Sequence, residues 1–389
     1  MENINTEYTR QDFFVTLCLT HDCNLSCVYC YQKHSSGKRM SFETGKNVID
    51  WIFSHVPSEC KGVEIDFIGG EPLLEHGLIK KIVSYVESKN LNIPYIFYAD
   101  TNGTLLTTEI KNWLLEKTGI FKLGLSLDGK KETHDKNRSI SFDSIDIDFF
   151  LQNYPEQGVK MTLSEYSLYN LADDIIYIHS LGFSEIDGVN FAEGIFDWNK
   201  DEYISLLIPQ LKHLVDYYAE YDELKPCKLF EKEIDICENQ TKGRNKWCGI
   251  GVSAPFFDID GKRYPCPFIT HMTFTEKDLD SISKINFTKE DNFIDDECIK
   301  TCYIYPICPT CAGANYMVNK SFNIRNKSKC RLHKLIALFI ADLKAKKIVK
   351  SGGLINSKKD DTKLYYTIEA IKKIKSLYFE EFRNFDIIR

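Results

Sequence analysis

Three cysteines near the start of the chain form the pattern best suited to chemistry. Cys23, Cys27 and Cys30 follow a C-x3-C-x2-C spacing. Three thiolates can each bind one iron of a cubane iron–sulfur cluster and leave one iron open, whereas a cluster that only passes electrons normally takes four cysteines. A structural zinc site would also require four ligands, usually in C-x2-C pairs. The spacing therefore favours a cluster that binds a substrate or cofactor over a zinc site.

A second group of cysteines lies after Pro226, where the periodicity of helices and strands fades. Such a density of cysteines is too high for an inert core and indicates metal binding. The C-x2-C pair inside this group is also typical of a zinc ribbon, so these residues alone leave zinc and iron–sulfur open. The group consists of Cys248, Cys266, Cys298, Cys302, Cys308, Cys311 and Cys330.

Composition limits where the protein works and what it binds. The net charge of −7 argues against a general nucleic-acid binder. The most apolar late run, residues 335–340, is too short to span a bilayer. The chain carries 14 cysteines but begins with no basic and apolar signal segment, which indicates a reducing compartment and metal rather than disulfides. We expect a cytoplasmic protein with no nucleic-acid or membrane partner.

Short β-rich runs alternate with amphipathic helical runs through the first half of the chain. Six such βα units predict an α/β fold, best a partial (β/α)6 TIM-type barrel, although a doubly wound sheet would show the same pattern. The predicted strands are residues 13–19, 63–68, 94–99, 121–127, 158–163 and 185–191. The predicted helices are residues 42–56, 78–86, 108–117, 143–153, 171–181 and 201–221.

The change in composition predicts three domains. We expect the barrel over residues 1–225, a small cysteine-rich domain over 226–335 and a C-terminal helical segment over 336–389. Within that last segment, residues 358–361 are interpreted as a linker before a final helix.

Polar and glycine residues follow several of the predicted strands at their carboxyl ends. The run Gly69-Gly70-Glu71-Pro72 comes directly after the second strand. Paired glycines before proline are often a plain turn, but they also let the backbone approach a ligand closely. Because barrels of this type build their sites at the carboxyl ends of strands, we expect a site there. The other polar residues in such positions are Asn102, Ser126 and Asn190.

The cysteine triad with an aromatic residue, Tyr29, before its last cysteine resembles the signature of radical S-adenosylmethionine enzymes. In that family the open iron chelates S-adenosylmethionine, and an electron from the cluster cleaves it to methionine and a 5′-deoxyadenosyl radical. That radical takes a hydrogen atom from an unactivated C–H bond. A GGEP-type run lines the methionine end of the cofactor, which implies cofactor contacts for Gly69, Gly70 and Glu71.

The segment after the fourth strand resembles the sulfatase-maturase and peptide-maturase branch of the same enzymes. It reads Ser-Leu-Asp-Gly-x4-His-Asp-x2-Arg, from Ser126 to Arg138. The resemblance implies that Ser126 and Arg138 contact cofactor oxygens, and arginine suits a carboxylate through paired hydrogen bonds. We interpret His134 and Asp135 as local structure. Further candidate cofactor contacts are Tyr29, Asn102 and Asn190, and no catalytic acid or base is identified.

The late cysteines resemble the SPASM extension, which carries two auxiliary [4Fe–4S] clusters. The opening cysteine followed by Gly-x4-Cys is present, but the later block reads C-x3-C-x5-C-x2-C where the family usually has C-x2-C-x5-C-x3-C. The resemblance therefore implies S-adenosylmethionine and three [4Fe–4S] clusters. An outer auxiliary cluster would be held by Cys298, Cys302, Cys308 and Cys330. An inner one would be held by Cys248, Cys266 and Cys311, with Cys237, Cys227 or a substrate thiolate in the fourth position.

Auxiliary clusters of this kind imply an enzyme that acts on peptides. We expect a maturase that forms a thioether or carbon–carbon crosslink in a ribosomally synthesised precursor peptide. The alternative is an anaerobic sulfatase maturase, which makes formylglycine from serine or cysteine. Those maturases carry an acidic residue after the Gly-x4-Cys cysteine, where this chain has Pro267. An iron–sulfur electron carrier would explain neither the open triad nor the GGEP run.

The same resemblance implies two kinds of protein partner. A flavodoxin- or ferredoxin-type donor would supply the electron. Because few residues precede Cys23, we expect the precursor to be bound by a separate leader-recognition protein or by the open edge of the barrel.

Overall fold

The computed structural model describes residues 13–239, 248–252, 254–352 and 358–385. They form two compact units, each built from separate stretches of the chain. The first unit contains the described residues up to Asn24, with Gln32–Gly124 and Cys248–Phe287. The second contains Leu25–Tyr31, the described part of Leu125–Trp247 and the described residues from Thr288 onward.

The described residues form eight strands and twelve α-helices, connected by short 3-10 turns. The strands are β1 (Phe13–Thr20), β2 (Val63–Gly69), β3 (Tyr95–Thr101), β4 (Phe121–Leu125), β5 (Val159–Leu163), β6 (Ile186–Phe191), β7 (Phe256–Phe257) and β8 (Arg263–Tyr264). The helices are α1 (Phe42–Ser54), α2 (His76–Ser88), α3 (Thr108–Lys117), α4 (Lys131–Asn137), α5 (Ile147–Asn153), α6 (Leu171–Ser180), α7 (Asp201–Glu220), α8 (Glu276–Ser283), α9 (Asp296–Thr301), α10 (Ala312–Asn319), α11 (Cys330–Lys350) and α12 (Lys358–Phe382).

The first unit is built on a mixed sheet with the strand order β4-β3-β2-β1-β7-β8. Strands β1, β2 and β3 pair in parallel, and β7 pairs in parallel with β1. β1 is almost wholly buried, as expected for a strand covered on both faces. Helices α1 and α3 begin where the hydroxyls of Ser41 and Thr107 accept hydrogen bonds from backbone N–H groups in their first turns.

The second unit contains the parallel pair β5–β6 and most of the helices. Ser126, just beyond β4, forms a parallel bridge with Lys160 of β5. Helix α11 packs against both α7 and α12. Its buried apolar face, which includes Leu335 and Ile336, explains why the apolar run in this part of the sequence lies inside the protein.

The predicted α/β fold with parallel strands and a C-terminal helical region is confirmed. Three details differ from the prediction. The helix expected over 143–153 is a 3-10 turn at Phe142–Ser144 followed by α5, because the Asp146 side chain caps a new helix at that point. Residues 358–361, interpreted as a linker, form the first turn of α12. The two-residue strands β7 and β8 were missed because so short a run has no readable period.

The compact units cut across the three predicted domains. Residues 248–287 belong with the first unit because β7 continues the sheet at β1. Helix α11 belongs with α7 in the second unit. The boundaries at 225 and 335 stay a prediction about the sequence domains. No helix among the described residues combines the length and the hydrophobicity needed to cross a membrane.

Candidate functional site

In the first unit, the two glycines of the GGEP run lie directly against the start of the cysteine loop. Gly69 pairs with Thr20 at the end of the parallel ladder, and the Gly70 N–H donates to the Thr20 carbonyl at 3.0 Å. A Cβ at Gly69 would lie 2.7 Å from that carbonyl oxygen, and one at Gly70 would collide with the Asp22 carbonyl and lie 2.8 Å from Cys23 Cβ. Only glycine therefore permits this approach, and the backbone that is approached is the cysteine loop itself.

Glu71 joins three loops of the first unit. Its backbone N–H donates to the Asp22 carbonyl at 2.9 Å. Its buried carboxylate accepts hydrogen bonds from Leu73 N at 3.1 Å, Thr101 Oγ1 at 2.8 Å and Asn102 N at 2.8 Å. Burial raises the pKa of Glu71 to about 7, against the lowering effect of these hydrogen bonds. Glu71 thus holds the loops after β2 and β3 in place, and its predicted contact with the cofactor stays a prediction.

Asn102 extends this connection to the cysteine loop. Its side-chain amide donates to Asn24 Oδ1 at 2.9 Å, and its Oδ1 accepts from the N–H and hydroxyl of Thr104. Asn102 is buried, so the amide positions the residue that follows Cys23. Its cofactor contact also stays a prediction.

The cysteine loop is also held by a buried pair, His21 and Asp258, that the sequence analysis missed. His21 Nε2 lies 2.6 Å from Asp258 Oδ1, in the turn between β7 and β8. The Cys18 thiol lies within 4.8 Å of both ligand atoms, and burial raises its pKa well above the usual range. Because Asp258 already bonds His21 and the Cys18 thiol donates to the Thr20 carbonyl at 3.5 Å, we interpret the group as an anchor. It fixes the backbone two residues before Cys23.

In the second unit, Asp128 is the centre of a buried network that we call the Asp128 network. Its carboxylate accepts from Tyr29 OH at 2.5 Å, from Arg138 Nε at 2.9 Å and Nη2 at 3.2 Å, and from Thr162 N at 3.0 Å. Asp128 is wholly buried, and the two Arg138 contacts form the paired geometry of an arginine–carboxylate ion pair. The sequence had shown Asp128 within the Ser-Leu-Asp-Gly run, but nothing in its spacing indicated this role.

The Asp128 network contains two of the residues that were predicted to contact the cofactor, and the pKa of each is shifted there. Burial raises the pKa of Tyr29 well above the usual range of a tyrosine. Burial lowers the pKa of Arg138, but Asp128, Tyr29 and Cys27 outweigh it and raise that pKa above its usual value. Arg138 therefore stays charged, and part of its fork is already held by Asp128. Its contact with a cofactor carboxylate stays a prediction.

The same unit holds the later part of the cysteine loop. Ser26 N donates to Ser139 Oγ at 2.9 Å, and Val28 N donates to the Asn137 carbonyl at 3.0 Å. These bonds fix the turn between Cys27 and Cys30 against the segment that carries Arg138. Cys23 belongs to the first unit, and Cys27 and Cys30 belong to the second.

The two remaining predicted contacts lie just beyond β4 and on β6, both in the second unit. Ser126 is partly buried beside β5. Asn190 is exposed on β6, in register with Thr162, the residue whose N–H contacts the Asp128 network. His134 and Asp135 are local structure, as interpreted: the His134 ring accepts from Asp128 N at 3.3 Å and contacts Ser141 Oγ at 3.0 Å.

Five of the late cysteines line one cavity of about 210 Å³ in the second unit, which we call the cysteine cavity. Four of them are those assigned to the outer cluster. Burial, together with the neighbouring Cys308, Cys298 and Cys302, raises the pKa of Cys330 to about 11. The residues come from α9, the turn after it, the start of α10 and the start of α11. The five are Cys298, Cys302, Cys308, Cys311 and Cys330.

Of the residues assigned to the inner cluster, Cys311 lines the cysteine cavity, whereas Cys248 and Cys266 are not among its lining residues. The turn after Cys248 is tied to the strand before Cys266 by the bond from Gly251 N to the Pro265 carbonyl, 2.9 Å long, in the first unit. Cys311 belongs to the second unit. Burial raises the pKa of both Cys237 and Cys227 to about 12. Cys237 lies beside Cys302, and Cys227 is wholly buried beside Tyr218.

The cysteine cavity fits an iron–sulfur group in its donor set. Thiolates are the usual protein ligands of such clusters. Within the described residues, Arg325 Nε and Nη2 and both ring nitrogens of His333 are buried and have no hydrogen-bond partner. Both side chains line the cavity. Buried donors without partners are costly, so they indicate an acceptor that the protein itself does not supply.

The chain is similar to known iron–sulfur proteins and maturation enzymes. A family model described as a 4Fe-4S single cluster domain matches residues 11–145. A cysteine-type anaerobic sulfatase-maturating enzyme of Clostridium perfringens is 26% identical over 319 residues, which span 74% of this chain and 84% of the relative. The chain therefore matches most of the length of that enzyme.

Two solved structures show the same fold. Native anSMEcpe with bound AdoMet and Kp18Cys peptide superimposes with a TM-score of 0.66 at 20% identity, covering 88% of this chain and 99% of that chain. Streptococcus suis SuiB bound to precursor peptide SuiA superimposes with a TM-score of 0.54 at 14% identity, covering 82% of this chain and 75% of that chain.

The cysteine triad, the glycine run that lies against it and these similarities point to one class. The chain is an enzyme similar to the radical S-adenosylmethionine enzymes, among them the anaerobic sulfatase maturases.

Proposed function

We propose that this enzyme is a peptide maturase that crosslinks a ribosomally synthesised precursor, through a cysteine sulfur or, failing that, between two carbons. The observation that carries the proposal is Pro267, the residue after Cys266. The resembling sulfatase maturases place an acidic proton acceptor there, and proline has no titratable group. A reaction that starts from a thiolate needs no such acceptor on the protein.

The inner set of cysteines supports a sulfur-based reaction. Cys248, Cys266 and Cys311 would hold the inner cluster, and the fourth position would take a substrate thiolate, since metal binding deprotonates a thiol. The rival fourth ligands are Cys237 and Cys227, and burial raises the pKa of both to about 12. Cys237 lies beside Cys302 of the outer set and Cys227 is wholly buried beside Tyr218, which favours the open position.

The residues around the triad would position the cofactor. S-adenosylmethionine, when bound there, supplies the radical that removes a hydrogen atom from the peptide. Glu71 and Asn102 hold the loops that bear the glycine run and the residue after Cys23. The Asp128 network keeps Arg138 charged and oriented, with donors left over for a carboxylate. Pre-positioned loops of this kind lower the cost of binding the cofactor productively.

The second candidate is an anaerobic sulfatase maturase. The observation in its favour is the 26% identity over 319 residues to the C. perfringens enzyme. It would require a proton acceptor other than the residue after Cys266. The candidate from another class is an electron carrier. That function would not explain why Gly70 approaches the cysteine loop so closely.

The experiment is an anaerobic reaction of the reconstituted enzyme with S-adenosylmethionine, dithionite and a synthetic cysteine-containing precursor peptide encoded beside its gene. For thioether formation we expect the peptide to lose two hydrogens, keep its sulfur and resist iodoacetamide, with one 5′-deoxyadenosine formed per product. The matched control is the peptide with that cysteine replaced by alanine.

Each other result points to a different candidate. Loss of two hydrogens with an alkylatable thiol indicates a carbon–carbon crosslink. Loss of sulfur with a new aldehyde indicates formylglycine formation and overturns the proposal. Oxidation of the reduced protein without cleavage of S-adenosylmethionine indicates an electron carrier.

The same reaction tests the two expected protein partners. Replacing dithionite by a flavodoxin or a ferredoxin tests the expected electron donor, and adding a leader-binding protein tests the second partner.

A further inference from the structure

The cysteine cavity is lined by basic groups as well as thiols, and they differ in how they are paired. Lys329 forms an ion pair with Glu193. Lys327 Nζ donates to Cys298 Sγ at 3.1 Å and lies 3.5 Å from the Glu297 carboxylate. Lys334, the third lysine that lines the cavity, pairs with Glu381 at 2.9 Å, so all three lysines have partners.

Arg325 has no such partner. No ion pair joins its guanidinium to a carboxylate in the described part of the chain, and Nε and Nη2 find no hydrogen-bond partner there, while Nη1 donates to the Cys308 carbonyl at 3.4 Å. The guanidinium carbon lies 3.9 Å from the centre of the Tyr305 ring, which fixes the plane of the group. The side chain is 4% exposed, so water does not replace the missing partner. A buried positive charge with two idle donors is unfavourable unless an anionic acceptor is present.

His333 is placed in the same way by helix geometry. It lies three residues after Cys330 at the start of α11, and residues three apart share one face of a helix. It is buried, and neither ring nitrogen finds an acceptor or donor among the described residues. Its ring therefore faces the cavity that the Cys330 thiol also lines.

Asp295 links both sides of this arrangement. Its Oδ1 accepts from Cys298 N at 3.0 Å and so caps α9, and its Oδ2 accepts from Arg325 N at 2.8 Å. One buried carboxylate thus sets the position of a cysteine and of the unpaired arginine together. Cys298 and Arg325 are thus both fixed by hydrogen bonds from their backbone N–H groups to the same carboxylate.

We propose that Arg325 and His333 are the residues that set the reduction potential of the outer auxiliary cluster, by donating hydrogen bonds to its sulfur atoms. The inference rests on the proposed cluster in the cysteine cavity. Hydrogen bonds to sulfur and positive charge stabilise the reduced form of an iron–sulfur cluster and raise its potential. The two residues are positioning residues, since they act on the cluster and not on the peptide.

The test is an anaerobic redox titration, followed by electron paramagnetic resonance, of the full chain carrying alanine at Cys23, Cys27 and Cys30. That background removes the signal of the triad cluster. The signal that also disappears when Cys298, Cys302, Cys308 and Cys330 become alanine belongs to the outer cluster. We expect Arg325→Gln and His333→Phe each to lower its midpoint potential, with iron content unchanged, and the two changes together to lower it further.

Conservative variants distinguish tuning from simple damage. Arg325→Lys keeps the charge but loses the planar fork, and His333→Gln keeps a donor, so both should fall between wild type and the severe variants. The control is Lys346→Gln, a basic residue on the same helix but about 24 Å along it from Cys330 at 1.5 Å per residue, which should leave the potential unchanged.

The outcomes separate the two proposals. An unchanged midpoint potential in both severe variants, with full iron content, overturns the tuning role. If Arg325→Gln loses the outer cluster, the test passes to the two conservative variants, Arg325→Lys and His333→Gln. A wild-type midpoint potential in both of them overturns the tuning role. If the four-cysteine variant loses no iron, the cluster assignment itself is wrong.

Discussion

The Asp128 network and the cysteine cavity lie in the same unit of the molecule, but they differ in whether their buried polar groups have hydrogen-bond partners. In the network the buried carboxylate of Asp128 is satisfied by donors that the protein itself supplies. In the cavity Arg325 and His333 are buried without acceptors in the part of the chain that the structure describes. A satisfied network is scaffold, whereas an unsatisfied one marks where a further group belongs. This difference in hydrogen bonding distinguishes the residues that support a site, such as Asp128, from those suited to contact a bound group, such as Arg325 and His333.

The most severe test of this distinction removes the triad. Alanine at Cys23, Cys27 and Cys30 should abolish formation of 5′-deoxyadenosine from S-adenosylmethionine under dithionite, because no open iron would remain to bind it. Chromatography of the quenched reaction measures the product, and Cys60→Ala serves as a control on cysteine loss. Continued formation of 5′-deoxyadenosine by the triple variant would show that the triad is not the cofactor site.

Breaking the network should cost stability whether or not iron is bound. Asp128→Asn leaves the buried Arg138 charge without its carboxylate, and loss of one partner of a buried pair typically costs about 3–5 kcal/mol. Tyr29→Phe removes one hydrogen bond and should cost only about 1 kcal/mol. Urea unfolding of iron-free and reconstituted protein measures both. Equal, small losses in the two variants would contradict the central position of Asp128.

Arg138 offers a finer test, because it belongs to the network and was predicted to bind the cofactor. Arg138→Lys should weaken S-adenosylmethionine binding by about 1–3 kcal/mol, since lysine lacks the planar fork of arginine. Equilibrium titration with the triad cluster intact measures the affinity. Unchanged affinity would place Arg138 wholly within the scaffold.

The smallest expected effect is a gain in stability in the iron-free protein that disappears in the reconstituted protein. His333→Phe should stabilise the iron-free protein, by about 1 kcal/mol or more, because it removes a buried polar ring that has no partner. In the reconstituted protein the same change should give no gain, since the ring then has an acceptor. Thermal unfolding before and after reconstitution measures the difference. A stabilisation that is equal in both states would show that His333 does not face the bound group.

The sequence allowed the periodic part of this protein to be predicted, and the reason is physical. Strands such as β1 and β2 are buried on both faces and helices such as α1 carry one apolar face, so their patterns can be read directly. The cysteines were identified because metal ligands need fixed residue types at fixed spacing. Their grouping around one cavity required the fold.

Residues that act by tertiary hydrogen bonds could not be found in this way. Asp128 and His21 bond partners that lie far along the chain, at Tyr29 and Asp258 respectively. Arg325 is informative because of what it lacks, and no sequence pattern reveals a missing partner. The roles of Glu71 and Asn102 show the same limit, since the resemblance suggested cofactor contacts and the structure shows each holding neighbouring loops.

The most direct test of the account is the metal content of the cysteine cavity. Full-length protein with alanine at Cys23, Cys27 and Cys30 is reconstituted anaerobically with iron and sulfide, and its iron, acid-labile sulfide and zinc are measured. We predict that iron and sulfide remain, and that they fall when Cys298, Cys302, Cys308 and Cys330 are also replaced. Zinc in place of iron, or iron that is indifferent to the four cysteines, would contradict it.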